Sequence, residues 1–429
     1  MREQTLHVLI AGTLAGYLHQ DGHGVVSFAY DDAYQGPPLS LSMPVTNRIY
    51  RDAVVLPYLL GLLPDSERQR RAIARQYDVS AGNPVALLAR IGLDCPGAVQ
   101  VCPPELTDGA LARAADYREL DEHEVAVRLK SIRDEEDSSW MGLEERWSLG
   151  GNQGKFALAR KDGRWYECHG SAPTTHIFKN GIAGLRLEAL NEFMCLRCAE
   201  LCGIAAARVE HLSFEDEPAL VVERFDRLRA ANGVVARLHQ EDLCQALSCP
   251  PERKYTADGG PAARDILELL ATTRHASSNL LLFTQQLFFN CLIGAPDAHA
   301  KNYSLLLGAD NNAILAPMYD VASGLAYERF RRRGRLAMSI GGENRVGRVG
   351  SGAVERYAGA HDLTLSKRLD ACGITAKACV DLMADLAQRI PPALELAFSQ
   401  RQGAPGSDEL RERLLPAIAE NCRITLALL

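Results

Sequence analysis

Asp297 stands five positions ahead of Asn302 in the segment Gly294-Ala295-Pro296-Asp297-Ala298-His299-Ala300-Lys301-Asn302, and Asp320 follows further on beside Tyr319. A carboxylate, an amide and a second carboxylate in that order suit phosphoryl transfer. One acid accepts or orients the attacking hydroxyl, while the other two groups hold metal cations that bridge the phosphates. Asp and Asn are also common in surface turns, where their side chains cap backbone groups, so the interval alone is ordinary loop chemistry. The flanks argue for more. Leu280 to Ile293 is an apolar stretch of helical length, and Tyr303 to Leu307 reads as a short strand, which puts the polar set on a tight connection between buried elements.

The interval is that of a protein-kinase catalytic loop, and other parts of such a site follow in order. Ser148-Leu149-Gly150-Gly151-Asn152-Gln153-Gly154-Lys155 is a turn whose glycines let backbone amides approach phosphates without a Cβ in the way. It matches neither a Walker A sequence nor the usual kinase glycine loop, and by itself reads equally as a hairpin. Lys179 ends the strand Thr175-His176-Ile177-Phe178, where a lysine can pair nucleotide phosphates or simply charge a sheet edge; Glu192 on the next helix is its candidate ion-pair partner. Val221-Val222-Glu223-Arg224-Phe225 reads as a strand leaving the smaller lobe, where a hinge would offer backbone groups to adenine.

Small strands open the chain, at Leu6 to Ile10, Leu14 to Leu18 and Val25 to Tyr30, with the turn Gln20-Asp21-Gly22-His23-Gly24 before the third. Helices follow over Asp52 to Arg75, interrupted at Pro64-Asp65-Ser66, and over Pro84 to Ile91 behind the cap Asn83. A charged stretch from Ala110 to Glu145 has the composition of a boundary rather than of a core. Strands resume at Lys155 to Arg160, Trp165 to Cys168 and Thr175 to Lys179, then a helix over Leu187 to Leu201 stopped by Gly203, then strands at Val209 to Leu212 and Ala219 to Phe225. After Gln240 the chain reads as mainly helical. The expected division is 1–145, an N-terminal region of meander and helices; 146–226, a mixed nucleotide-binding lobe; and 227–429, a helical catalytic lobe.

With 429 residues, 47% of them hydrophobic, the chain can bury substantial cores, and a net charge of −7 argues against a general nucleic-acid coat. Twelve cysteines in a chain this long do not make a secreted disulfide framework, no cleavable leader opens it, and no segment approaches a bilayer-spanning apolar run. A reducing cytoplasm is the expected location. Cys195, Cys198 and Cys202 share a helical face, but without a second cluster or a ligand-spaced histidine they read as small buried hydrophobes. Arg329, Arg331, Arg332, Arg333 and Arg335 read as a solvated loop, with an anionic partner as the alternative.

At these residues the chain resembles the HipA family of bacterial serine/threonine-kinase toxins, over nearly its whole length. The words that carry the resemblance are Pro38-Leu39-Ser40-Leu41-Ser42, Leu63-Pro64-Asp65-Ser66, Gly97-Ala98-Val99, Ser148 to Lys155, Thr174-Thr175-His176-Ile177-Phe178-Lys179, Glu223-Arg224-Phe225-Asp226-Arg227, Gln240-Glu241-Asp242, Asp297 to Asn302 and Tyr319-Asp320. The resemblance implies an α/β chain of the α+β kind: a two-lobed protein-kinase-like fold, β-rich then helical, with an additional N-terminal subdomain. It implies ATP and Mg2+ as cofactors, Asp297 as catalytic base, and Asn302 and Asp320 as metal ligands. Gly151, Asn152, Gln153, Lys155, Lys179, Glu223, Phe225 and His299 would be nucleotide-binding residues, and Ser148 the autophosphorylation position.

The same resemblance implies a toxin–antitoxin pair acting in growth arrest and persistence. The partner would be a HipB-like helix-turn-helix antitoxin, operator DNA would be met only through that complex, and the substrate would be a protein of translation, typically an aminoacyl-tRNA synthetase; no membrane is involved. Ala298 stands where a glycine is common, which matters only if that position needs positive φ, and Gly154 replaces a common acidic residue and is expected to loosen its loop. Two other readings share these residues: a catalytically weak co-repressor subunit, and a phosphotransferase acting on a lipid or small molecule.

Overall fold

In the computed structural model, residues 3–112, 115–134, 139–142, 144–231, 233–359 and 362–429 are described. The chain forms two compact units: Met1–Ile182, Leu212–Glu252 and Ser304–Asn312 make the first, and Ala183–His211, Arg253–Tyr303 and Ala313–Leu429 the second.

The first unit begins with an antiparallel sheet in the order Ile49–Arg51, Val26–Tyr30, Thr13–Gln20, Gln4–Ile10, Val99–Cys102. Along Gln4–Ile10 the period of two sends Leu6, Val8 and Ile10 into the main core, while Leu9 on the other face joins Leu93, Cys102 and Ala110. Helix Glu67–Tyr77 starts at Ser66, whose hydroxyl accepts the Gln69 N–H. Helix Pro84–Ile91 starts at Asn83, whose side-chain oxygen accepts from Val85 and Ala86, with the proline in the first turn where no N–H is missed.

A six-stranded sheet follows in the order Val209–Phe214, Glu217–Glu223, His176–Lys179, Phe156–Lys161, Arg164–Gly170, Ala115–Leu120. Phe156 and Phe178 face each other in register with stacked rings 4.9 Å apart, and Trp165 meets Phe178 edge-on at 4.8 Å. The buried cluster that holds these rings runs from Leu6 to Val221 and takes in side chains of both sheets. The charged stretch expected to be a boundary supplies an edge strand, Ala115–Leu120, and a helix, Glu122–Asp134, whose Val125, Ala126, Leu129 and Ile132 enter that core. Positions 113–114, 135–138 and 143 of that stretch lie outside the described residues.

The second unit is mainly helical. Helix Ala376–Ser399 packs on Glu188–Leu201, Ala276–Leu292, Ser351–Gly359 and Ser407–Leu428. Cys195, Cys198 and Cys202 are buried on and just beyond Glu188–Leu201, and Gly203 after it takes φ +73°, the left-handed stop that a glycine makes cheaply. One element departs from the helical expectation: Arg335–Ile340 and Glu343–Arg345 pair as a hairpin through Gly341-Gly342, both at positive φ. The segment read as a solvated arginine loop is a short helix, Glu328–Arg333, running into that hairpin. Among the described residues no helix is long and apolar enough to cross a membrane.

Candidate active site

Helix Ala276–Leu292 delivers the chain to the loop of interest. Gly294, at φ +65°, donates to the Cys291 carbonyl at 3.1 Å, and Ala295 donates to the Asn290 carbonyl at 2.8 Å, so the last carbonyls of the helix are satisfied while the chain reverses. The loop then closes on itself. His299 N donates to the Asp297 carbonyl at 2.8 Å, Asn302 N to the His299 carbonyl at 2.9 Å, and the Asn302 side-chain amide to the Asp297 carbonyl, also at 2.9 Å. Asp297 and Asn302 are therefore coupled by a direct hydrogen bond as well as by spacing. Asp320 is tied to the same place through its neighbour, since the Tyr319 hydroxyl donates to the Lys301 carbonyl at 3.0 Å. Asp320 itself sits at φ +58°, a conformation that Asp adopts more readily than most side chains.

The Asp297 carboxylate is more than half exposed, with His299 Nε2 3.6 Å from its Oδ1. His299 is 2% exposed, and neither ring nitrogen has a hydrogen-bond partner. Burial holds the imidazole below its ordinary pKa; the Asp297 and Asp320 carboxylates oppose that shift and the Lys254 ammonium adds to it. Tyr255, 42 positions upstream, donates its hydroxyl to Asp297 Oδ1 and sets its ring edge-on to His299 at 4.8 Å. Nothing in the sequence around Tyr255 marks it for this place.

The remaining candidate residues belong to the first unit. The Ser148–Lys155 turn is held by the Leu63-Pro64-Asp65-Ser66 segment: Asp65 N donates to the Gly151 carbonyl at 3.0 Å, Gly151 N donates to the Asp65 carboxylate at 3.3 Å, and Gln69 donates to the Asn152 carbonyl at 3.3 Å. A carboxylate thus already takes an amide of the kind an anion seeks. Gly151 has φ +100°, a conformation that favours glycine, and a Cβ there would stand 2.6 Å from Nζ at the flexible end of Lys155. Gln153 is half-buried. Ser148 is buried, and its hydroxyl donates to the Leu62 carbonyl at 2.5 Å. Lys179 is buried opposite Leu220, Glu223 pairs with His176 across the strands, and Phe225 follows half-buried. Glu192, the suggested partner of Lys179, is buried in the second unit.

The two sequence departures resolve differently. Ala298 does not adopt positive φ, so a Cβ is tolerated there. Gly154 is not a source of looseness: a Cβ on it would stand 2.6 Å from Ile132 and 3.2 Å from the Trp140 ring, so close packing holds the turn.

Sequence reasoning missed a buried charge cluster in the first unit. Asp94 receives Arg227 at 2.8 Å, Arg237 at 2.8 Å and Arg224 at 3.3 Å, and Asp226 receives Arg224 at 2.9 Å and the Gly97 N–H at 2.6 Å. Burial pushes the Asp94 carboxyl up, but the three guanidiniums outweigh it and hold it below the usual range. Arg224 and Arg227 thus use their side chains to join the segment around Asp94 to the strand end that offers the Glu223 and Phe225 backbones.

Comparison with known proteins agrees with this architecture along the chain. Residues 6–102 match the model of the HipA N-terminal domain, and residues 147–394 that of the HipA-like C-terminal domain. "Putative kinase Y4mE" of Sinorhizobium fredii is 37% identical over 349 residues, covering 80% of this chain and 82% of that protein. "Serine/threonine-protein kinase toxin HipA" of Shewanella oneidensis is 29% identical over 405 residues, covering 91% and 88%. The structure of Shewanella oneidensis HipA, solved with HipB and its operator DNA, superposes with a TM-score of 0.83 at 25% identity, covering 99% of this chain and 98% of that one. With a C-terminal match that alone spans more than half of its length and an α+β fold shared from end to end, the chain belongs to the HipA family of toxin kinases.

Proposed function

We propose that this chain is an ATP-dependent serine/threonine-protein kinase, the toxin of a toxin–antitoxin pair, acting on a protein of translation, an aminoacyl-tRNA synthetase. The observation that carries the reading is the closed loop in which Asn302 is hydrogen-bonded to Asp297 while Tyr319 ties Asp320 alongside. The residues fit a magnesium–nucleotide group. His299 is a buried imidazole with neither ring nitrogen hydrogen-bonded and with Nε2 3.6 Å from the Asp297 carboxylate, a buried polar group of the kind a bound phosphate could satisfy. Among the described residues no cluster of at least three His, Cys, Asp or Glu forms a metal cage. Mg2+ does not need one, because it keeps water and takes phosphate oxygens beside one or two protein ligands.

Asn302 and Asp320 would hold the ion, which when bound neutralises charge on the phosphates. Asp297 orients the serine or threonine hydroxyl and accepts its proton; its exposure leaves room for an acceptor to approach. Lys179, Lys155 and the backbone of Gly151, Asn152 and Gln153 would bind phosphates, and the Glu223 and Phe225 backbones adenine. Autophosphorylation at Ser148 requires the buried hydroxyl to leave the Leu62 carbonyl. The added charge, about −2, could not return to that site, so modification would keep the turn released.

Incubation of the folded chain with labelled ATP and Mg2+ in a cell lysate tests the kinase. Asp297→Asn is expected to lower transfer by about 10²- to 10⁴-fold. Absence of transfer to any protein by wild type would overturn the reading. A helix-turn-helix antitoxin is the proposed partner, since the structural relative was solved with HipB and operator DNA. Gel shifts with that antitoxin should show operator binding strengthened equally by wild type and Asp297→Asn.

A further inference from the structure

The second unit carries a basic surface that the proposed chemistry does not use. Between Glu328 and Arg348 lie Arg329, Arg331, Arg332, Arg333, Arg335, Arg345 and Arg348, with no lysine and only Glu328 and Glu343 as acids, in a chain whose net charge is −7. All seven guanidinium-bearing residues are exposed. The local fold puts them there: Phe330 is the apolar residue of helix Glu328–Arg333 and turns inward, so that a Cβ on Gly324 would stand 2.5 Å from its ring and one on Gly334 2.6 Å. The arginines are left facing out.

The position of this surface is fixed relative to Asp297. Gly324 N donates to the Gly294 carbonyl at 3.0 Å, the Ser323 hydroxyl donates to the Ile293 carbonyl at 2.5 Å, and a Cβ on Gly294 would stand 2.7 Å from Leu325 Cγ. Phe330, Gly324 and Gly294 are thus packed in series, and Asp297 follows Gly294 by three residues. The arginine helix is seated on the base of the loop that presents the proposed catalytic carboxylate.

The surface is also built against its own electrostatics. Arg335 and Arg345 are register partners in the hairpin, and like charges directly opposed across strands are destabilising. Arg345 is offset by a forked pair to Glu343, at 2.9 and 2.6 Å, and Arg332 pairs with Glu328. These contacts show in place the geometry with which a guanidinium takes a carboxylate.

Resting on the kinase reading, we infer that the Arg329–Arg348 surface selects the protein substrate by binding acidic residues a few positions from the phosphoacceptor serine or threonine. A run of carboxylates on an extended segment relieves the repulsion among the arginines while the acceptor hydroxyl lies at Asp297. The phosphate-transfer step is that of the proposed kinase; the surface contributes binding and register.

The test uses the full chain and serine-centred peptides whose flanks are Asp/Glu, neutral or Lys. Wild type should phosphorylate the acidic peptides preferentially. Arg331→Glu/Arg333→Glu should raise their KM by about tenfold, with the loss in KM rather than kcat, and favour the Lys-flanked peptide instead. Arg331→Lys/Arg333→Lys should retain the acidic preference. Indifference of wild type to flanking charge, an acidic preference that survives the charge reversal, or labelling of lysate proteins without any acidic peptide being taken overturns the inference while leaving the kinase standing. Fluorescence anisotropy with the labelled acidic peptide reads the surface independently of transfer: wild type binds and the Glu variant does not. Should wild type transfer no phosphate at all, peptide binding lost in the Glu variant would retain the surface and sink only the kinase reading. Preferential binding of duplex DNA or structured RNA over the acidic peptide would assign the surface to nucleic acid and overturn the inference.

Discussion

The first unit buries one cluster of arginines and the second displays another. Arg224, Arg227 and Arg237 lie at the buried cluster around Asp94 and Asp226, with every charge answered at hydrogen-bond distance, whereas Arg329 to Arg348 stand in solvent with a deficit of acids. Burial lowers Arg227 to about 10, with the neighbouring Arg224 charge adding to that, and Asp226 and Asp94 opposing it. The same side chain therefore serves two ends. A guanidinium with its carboxylates built in fixes one arrangement of the chain, and one without them is available to something else.

The largest effect expected from breaking this contrast is Asp94→Asn. It removes one charge from a site where three guanidiniums converge and leaves them in a dry environment with Asp226 as the one remaining carboxylate of the cluster, which costs about 3–5 kcal/mol. Urea unfolding followed by the fluorescence of the first unit's tryptophans reads it as a lowered midpoint. A loss below about 1 kcal/mol would mean that water or relaxation satisfies the arginines and that the cluster is less closed than its distances imply.

A second buried acid in the first unit has the opposite electrostatics. Glu241 accepts from Leu41 N at 2.8 Å but has no guanidinium, and burial pushes its carboxyl up to about 8. Its pKa is raised on folding, so its contribution to stability is fully present below the ordinary value near 4.5 and is lost as pH rises through about 8, because the unfolded chain releases the proton first. Glu241→Gln should match wild type at pH 5 and exceed it at pH 8 by a margin on the order of 2 kcal/mol. Parallel stability curves for the two proteins across that range would show that Glu241 is ionised in the fold.

These sites differ in how far the sequence could reveal them. Asp297, Asn302 and Asp320 were legible as a group because the first two share one short loop and the third follows it closely, so local spacing already carried their order. The cap at Asn83 and the stop at Gly203 were legible for the same reason, each being a contact within a few residues. Asp94 and Arg224 are separated by 130 positions, and neither neighbourhood names the other. Ala115–Leu120 escaped because an edge strand with mostly exposed side chains shows no apolar alternation. The hairpin at Gly341-Gly342 did leave a signal, a glycine pair between strand-forming residues, hidden by the helical context on either side.

Tyr255 is the intermediate case, a neutral donor on a partly exposed charge. Its hydroxyl occupies Oδ1 of Asp297, the carboxylate proposed to receive the acceptor hydroxyl, while its ring stays against His299. Tyr255→Phe removes the competitor and keeps the ring. The expected result is a fall in acceptor KM of about threefold to tenfold with kcat little changed, since a hydrogen bond to a charged group is worth about 1.5–3 kcal/mol before solvent reduces it. A fall in kcat instead would identify Tyr255 as the group that holds the carboxylate in its working orientation.

The smallest effect probes the exposed arginines directly. Arg335 faces Arg345 across the hairpin and is itself held by a single contact to Asn344, at 3.0 Å. Arg335→Thr replaces one of two opposed cations with a side chain suited to a strand and should stabilise the protein by about 0.2–1 kcal/mol at low salt. The gain should shrink as the Debye length falls to about 3 Å in 1 M salt, whereas the cost of Asp94→Asn, set in the interior, should be much less sensitive. A variant that gains stability and loses acidic-peptide affinity would show that the hairpin sacrifices stability for recognition. Destabilisation at every salt concentration would mean that the Arg335–Asn344 contact outweighs the repulsion, and that these two arginines, like those around Asp94, are held for the fold.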